Sequence, residues 1–108
     1  MVHSFSVITL FPALLDAFAS VGLVRKAIAQ QLITLDTLNP RDFTRDARRT
    51  VDDLPYGGGP GMVMQVAPLR AAITVARVRH PHAHVIFLSP QGRRLRQTDL
   101  ATLLESDN

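Results

Sequence analysis

Short apolar runs of strand length, separated by stretches of helical length, constrain this chain more than any other feature. Ser6–Phe11 is apolar and β-branched, and reads as a buried first strand. Leu32–Leu38 alternates apolar and polar residues as a half-buried strand does, and Asn39-Pro40 stops it. Val85–Leu88 is a further buried-type run, closed by Ser89-Pro90-Gln91-Gly92. Strands alternating with helices predict an open, mostly parallel α/β sheet. Three strands leave two unprotected edges, and the last predicted helix points towards another strand. The pattern therefore reads as one part of a larger sheet, cut off after residue 108.

The connecting stretches carry helical spacing. Pro12 suits the first turn of a helix, with Leu14, Leu15 and Phe18 along it and Gly22 as its expected end. Val24–Gln31 reads as a second short helix. Ala67–Val78 places Leu69, Ile73, Ala76 and Arg77 around a third, and Thr98–Leu104 forms a fourth with Thr98 as the expected N-cap. Between Pro40 and Gly61 there is no period of either kind. A connection of that length inside a small domain is usually functional.

Composition limits the function classes. No apolar run approaches the roughly 20 residues of a membrane span, and Met1–Phe5 lacks the marks of a secretory signal. The absence of cysteine excludes disulfides and thiolate metal sites and fits a cytoplasmic chain. Twelve basic residues stand against nine acidic ones, and eleven of the twelve are arginine. Arginine forks suit phosphate and stack on bases, although a GC-rich genome gives the same bias.

The most informative stretch runs from Arg48 to Met62. Residues 57–61 hold four glycines, bounded by Pro55 and Pro60. Such a loop lets a ligand approach the main chain and exposes N–H donors, while the prolines stiffen it. Asp52 and Asp53 just ahead of it can accept hydrogen bonds from N1–H and the exocyclic amine of a guanine, and the arginines upstream can hold phosphate. A tight solvated turn uses the same residue types. The loop is neither a Walker A motif nor a Gly-x-Gly-x-x-Gly fingerprint.

Taken together, Pro40-Arg41-Asp42-Phe43-Thr44, Arg49-Thr50-Val51-Asp52-Asp53 and Pro55-Tyr56-Gly57-Gly58-Gly59-Pro60-Gly61-Met62 closely resemble the bacterial TrmD family. These are tRNA guanine-N1 methyltransferases of the SPOUT superfamily. Leu10-Phe11-Pro12 and Leu88-Ser89-Pro90-Gln91-Gly92 match the same family in the same order, so the resemblance covers nearly the whole chain. It implies methyl transfer from S-adenosylmethionine to N1 of the guanine just 3′ of the anticodon, tRNA position 37. Phe87, Leu88, Ser89, Pro90, Gln91 and Gly92 would contact the cofactor, with Phe87 standing where many members have tyrosine. Asp52, Tyr56, Gly57, Gly58, Gly59, Pro60 and Gly61 would receive the flipped-out guanine, and Arg41, Arg48 and Arg49 would meet the tRNA anticodon region.

The same resemblance implies that residues 1–108 are the N-terminal part of a SPOUT domain. The knot-forming part, the catalytic base and a C-terminal RNA-binding domain would follow, and the complete enzyme would be a homodimer. The 108-residue chain alone is therefore expected to be inactive, and no residue in it takes the role of general base. A non-catalytic adenosine- or RNA-binding module is the alternative, and a structural fragment without a ligand is a third. His80, His82 and His84 alternate as metal ligands sometimes do, but Pro81 argues for a surface loop, and no metal site is assigned. Arg93, Arg94 and Arg96 read either as a solvated approach to the last helix or as a tRNA contact.

Overall fold

The computed structural model describes residues 2–55 and 57–105. Strand β1 (His3–Ile8) lies parallel to β2 (Ile33–Leu38), with His3 beside Ile33 and Ile8 beside Leu38. Amides of His3 and Thr9 extend the ladder to Leu32 and Leu38 carbonyls at 3.1 and 3.0 Å. The crossover between them is made by helices α1 (Pro12–Ala19) and α2 (Gly22–Ala29). Pro12 occupies the first turn of α1, as expected. Gly22 does not end α1. It opens α2, and its φ of +65° makes the corner between the two helices.

The end of α2 shows why β2 starts where it does. The Gln31 amide donates to Ile28 and the Leu32 amide to Ala27, at 3.0 and 2.9 Å. This is the two-bond closure of a Schellman motif, with Gln31 at φ +60° where glycine is usual. The chain leaves it directly into β2.

Side chains alternate across the strand pair. Phe5, Val7, Ile33 and Leu35 line one face with Leu15, Phe18 and Val24 of the crossover helices. The opposite face carries the paired residues Ser6 and Asp36, joined at 2.9 Å, and meets helix α3 (Val66–Arg79). Arg79, at the last turn of α3, reaches Asp36 at 3.0 Å, and His80 lies 3.9 Å from the same carboxylate. Helices thus cover both faces of a parallel pair, the predicted class.

The tightest packing is where the loops meet α3. A 3-10 turn (Pro40–Phe43) follows β2, with the Asn39 side chain accepting from the Arg41 amide at 3.0 Å. Leu38, Pro40, Val51, Pro68 and Ala72 are the buried residues among those described, and α3 packs against the 3-10 turn. Residues Asp52–Asp53 (β3) and Val63–Met64 (β4) then form a two-residue antiparallel hairpin that the sequence pattern does not show.

Val85–Leu88 departs from expectation. No described backbone hydrogen bond engages these residues and they join no ladder; Phe87 and Leu88 are 84% and 87% exposed. An apolar run becomes a strand only when a neighbour satisfies its amides and carbonyls, and among the described residues β1 pairs with β2 alone. Helix α4 (Gln97–Leu104) forms as predicted, but Arg96, not Thr98, is its N-cap residue. Asp99 accepts from the Arg96 amide at 2.8 Å and so caps the helix from its first turn.

The fold is open. Its radius of gyration is 16.0 Å, against about 13 Å for a closed domain of this length. Its accessible surface is 8891 Å², against about 6,000 Å² for a folded monomer of this mass. Large apolar side chains contribute to this surface, with Leu14, Phe18, Leu23, Phe87 and Leu88 all exposed.

Candidate functional site

The glycine-rich segment is the connection of the β3–β4 hairpin. Its base is fixed by main chain: Asp52 sits opposite Met64 and Asp53 opposite Val63. Below this pair the Gln65 amide donates to the Val51 carbonyl at 2.6 Å, and the Gln65 side-chain amide donates to the Asp52 carbonyl at 3.1 Å. Val51 is 1% exposed, so the loop springs from a buried anchor. The Gly58 amide donates to the Pro55 carbonyl at 3.0 Å and closes a turn at the loop's entry.

The glycines are required by backbone shape and not by crowding. Gly58 and Gly59 have φ of +86° and +108°, a region side-chain-bearing residues avoid, while a Cβ at either would meet nothing within 4 Å. Gly57 and Gly61 share the positive φ, and Pro60 lies exposed between Gly59 and Gly61. The result is an open main-chain ribbon on which a planar ligand can lie. Tyr56, expected in the same surface, lies outside the described residues.

The two acidic residues at the loop's mouth differ. Asp53 turns its carboxylate back to accept from the Leu54 amide at 2.8 Å. Among the described residues the Asp52 carboxylate has no hydrogen-bond partner, and adjacent strand positions point to opposite faces. Asp52 therefore offers both carboxylate oxygens to a ligand, whereas Asp53 has one of its two already engaged.

Upstream, the arc from Arg41 to Thr50 is tied to itself. Arg41 donates to the Arg49 carbonyl at 3.0 Å, and Arg49 donates to the Arg41 carbonyl at 3.2 Å and pairs with Asp42. Asp46 accepts from the Thr50 amide at 3.0 Å and from its hydroxyl at 2.6 Å. These Thr50 bonds hold the Asp46 carboxyl below the usual carboxylate range. Arg45 and Arg48 are exposed. In sequence, Asp42 and Asp46 read as partly neutralising this arginine cluster and Thr50 stood only as a motif residue; the Asp46–Thr50 pairing and the part played by Gln65 come from the structure.

The second expected surface is the turn Ser89–Gly92. The Gly92 amide donates to the Ser89 carbonyl at 3.1 Å and the Gln91 amide to the Ser89 hydroxyl at 3.2 Å. A Cβ on Gly92 would stand 3.3 Å from the Ser89 carbonyl, so the turn is tighter than most side chains permit. Ser89 is half-buried, whereas Phe87, Leu88, Pro90, Gln91 and Gly92 are exposed. Among the described residues no hydrogen bond or ion pair joins this turn to the glycine loop. Arg93 pairs with Asp99 at 3.0 Å, and the Arg96 amide and Arg93 together lower the Asp99 carboxyl. No group of three His, Asp or Glu side chains placed to hold a metal occurs among the described residues, and none of their helices is long and apolar enough to cross a membrane.

A parallel α/β unit with a glycine hairpin loop and a Ser-Pro turn is the arrangement of a SPOUT-type methyltransferase segment. The chain belongs to the TrmD family: the profile described as tRNA (Guanine-1)-methyltransferase TrmD matches residues 3–108. It is 50% identical over 100 residues to a tRNA (guanine-N(1)-)-methyltransferase of Alcanivorax borkumensis, covering 93% of this chain and 38% of that protein. It is 52% identical over 103 residues to the Aliivibrio fischeri protein of the same name, covering 94% and 41%. The crystal structure of tRNA (m1G37) methyltransferase from Aquifex aeolicus superposes with a TM-score of 0.87 at 28% identity, covering 98% of this chain and 48% of that one. The chain thus spans about two fifths of the curated relatives' length.

Proposed function

We propose that this chain supplies the base-receiving loop and part of the methyl-donor surface of a tRNA guanine-N1 methyltransferase. The reaction is methylation of N1 of the guanine at tRNA position 37, with S-adenosylmethionine as donor. The observation that carries this reading is the hairpin loop: four positive-φ glycines rising from a buried anchor, with one unpartnered carboxylate, Asp52, at their mouth. A guanine lifted from the anticodon loop finds there an open main-chain ribbon for its face and an acceptor for its N–H edge. Arg48 stands exposed nearby in sequence for the phosphate backbone.

The residues of the second surface fit the donor. Exposed Phe87 and Leu88 offer apolar contact for an adenine, and the glycine at position 92 keeps the turn narrow enough to present main-chain groups from Ser89 to Gly92. When bound, S-adenosylmethionine supplies the methyl group. N1 of guanine carries a proton at neutral pH, so methylation also needs a general base. No residue of this chain is assigned that role. The open, apolar surface and the two-fifths coverage support a chain that works joined to further polypeptide, with a knot, a second subunit and a cytoplasmic setting as family expectations.

The test is a completed chain, in which residues 1–105 here replace the matching segment of the Aliivibrio fischeri relative. Transfer of labelled methyl to a tRNA transcript with guanine at position 37, and none to adenine at that position, is the expected result. An equal rate on both transcripts, or no transfer, overturns the proposal. The 108-residue chain by itself is expected to transfer nothing.

A further inference from the structure

The arc between β2 and the glycine hairpin holds more charge than its own bonds use, and the structure divides it in two. Arg41 and Arg49 are clasped: each guanidinium donates to the other's main-chain carbonyl, at 3.0 and 3.2 Å. Arg49 also pairs with Asp42, and its own backbone is held at φ +56°, which a side-chain-bearing residue keeps only when its surroundings impose it. Asp46 closes the remainder through Thr50. Arg45 and Arg48 sit exposed within the arc and make no hydrogen bond or close ion pair among the described residues, although the Arg48 charge acts weakly on Asp46.

Two residues beyond Arg49 comes buried Val51, and one further comes Asp52. At most about 10 Å of extended chain separates the clasp from the unpartnered carboxylate. A loop whose root is displaced by 1 Å displaces everything it carries, and misplacement of that size costs rate out of proportion to binding. We infer that Arg41 and Arg49 are positioning residues, whose reciprocal clasp sets where Asp52 and the glycine loop stand, while Arg45 and Arg48 are the cations that meet the RNA backbone. This rests on the proposed tRNA substrate and refines it, since all these arginines look alike as basic residues in sequence.

Arginine-to-lysine changes separate the roles. Lysine keeps the charge a phosphate needs but lacks the fork with which Arg49 serves the Arg41 carbonyl and Asp42 at once, whereas Arg41 serves one acceptor and is tested by removing its donor. In the completed chain, R41M and R49K are expected to lower kcat at saturating tRNA roughly tenfold or more, and to leave the salt dependence of tRNA affinity unchanged. R45Q and R48Q are expected to raise KM for tRNA and to flatten the slope of log affinity against log salt by about 0.7–0.9 each; R48K restores the slope. If R41M or R49K unfolds the protein, D42N removes the ion pair with little change in shape and should lower kcat in the same direction.

Unchanged kcat in R49K, R41M or D42N overturns the clasp as a positioning device, and slopes unchanged in R45Q and R48Q overturn the assignment of the two exposed cations. If the unsubstituted completed chain neither binds nor methylates tRNA, the proposed function itself fails before the arginines are compared.

Discussion

Arg79, at the end of α3, donates to Asp36 on β2 at 3.0 Å, and the same Asp36 oxygen accepts from Ser6 on β1 at 2.9 Å. One carboxylate therefore joins both strands to the helix that follows the glycine hairpin. Arg79 and Asp36 side chains are 50% and 39% exposed, so solvent screens the ion pair. The Ser6 bond, part-buried, contributes more. We predict that D36A destabilises the completed chain by about 1 kcal/mol, and R79M by less than about 0.5 kcal/mol. Urea unfolding of both variants checks the ranking; a larger loss from R79M contradicts it.

Gln31 closes α2 in a left-handed conformation, at φ +60°. For a residue with a Cβ this costs roughly 1–2 kcal/mol, while glycine loses about 0.5–1 kcal/mol more chain entropy on folding. The first effect is the larger, so Gln31→Gly should stabilise by roughly 0.5–1 kcal/mol, raising Tm by about 2 °C in a protein of the relatives' size. A lowered Tm would show that the Gln31 side chain makes a contribution the Schellman geometry does not contain.

Asp52 and Asp53 are neighbours in sequence with different employment. Replacing Asp52 by Asn removes a charged acceptor from the ligand and should lower kcat/KM for tRNA by about 10- to 100-fold. Asp53→Asn keeps an acceptor for the Leu54 amide and should stay within about threefold of the parent. Equal losses in steady-state assays would mean that the two carboxylates act as a pair.

The Asp46 carboxyl is held below its ordinary value of 3.8, first by the Thr50 hydroxyl and then by the Thr50 amide. A depressed carboxylate stabilises the folded state fully above its unfolded value, and that contribution is lost as pH falls through the folded value. The arc should therefore loosen only below about pH 4. Melting curves from pH 6 to pH 3 should converge between the parent and D46N as pH falls; parallel curves throughout would mean that the Asp46–Thr50 bonds do not form in solution.

What the sequence made legible follows from how local each determinant is. β2 and α3 were readable because burial on one element writes a period into that element, while β1 was read from its apolar, β-branched run as Ser6–Phe11 and forms three residues earlier, at His3–Ile8. Leu32–Leu38 alternates for the sheet it joins, and Leu69 and Ile73 recur for the helix they share. The hairpin of Asp52–Asp53 and Val63–Met64 was not readable, since two residues cannot carry a period. Val85–Leu88 has the composition of a strand, but a ladder is a property of two segments, and composition reports only one. Thr98 has the right chemistry for a cap, yet the chain turned two residues earlier, where Asp99 could reach back to Arg96. In the site, the glycines were legible as main chain that a ligand can approach, and the structure adds their positive φ. The exchange between Arg41 and Arg49 spans eight residues and has no sequence pattern of its own; it becomes visible only when side chains are placed.

The exposed run at residues 85–88 has a consequence for the life of the polypeptide before it finds its neighbours. Val85–Leu88 is uncharged, β-prone and free of proline and glycine, the composition of a segment that seeds intermolecular cross-β stacking. Pro81 and Pro90 stand on either side, followed by Arg93 and Arg94, and such residues act as gatekeepers against that outcome. Replacing Pro90 with a β-branched residue lengthens the unguarded stretch. During synthesis it would shift the chain from folding towards inclusion bodies, whatever its effect on methyl transfer.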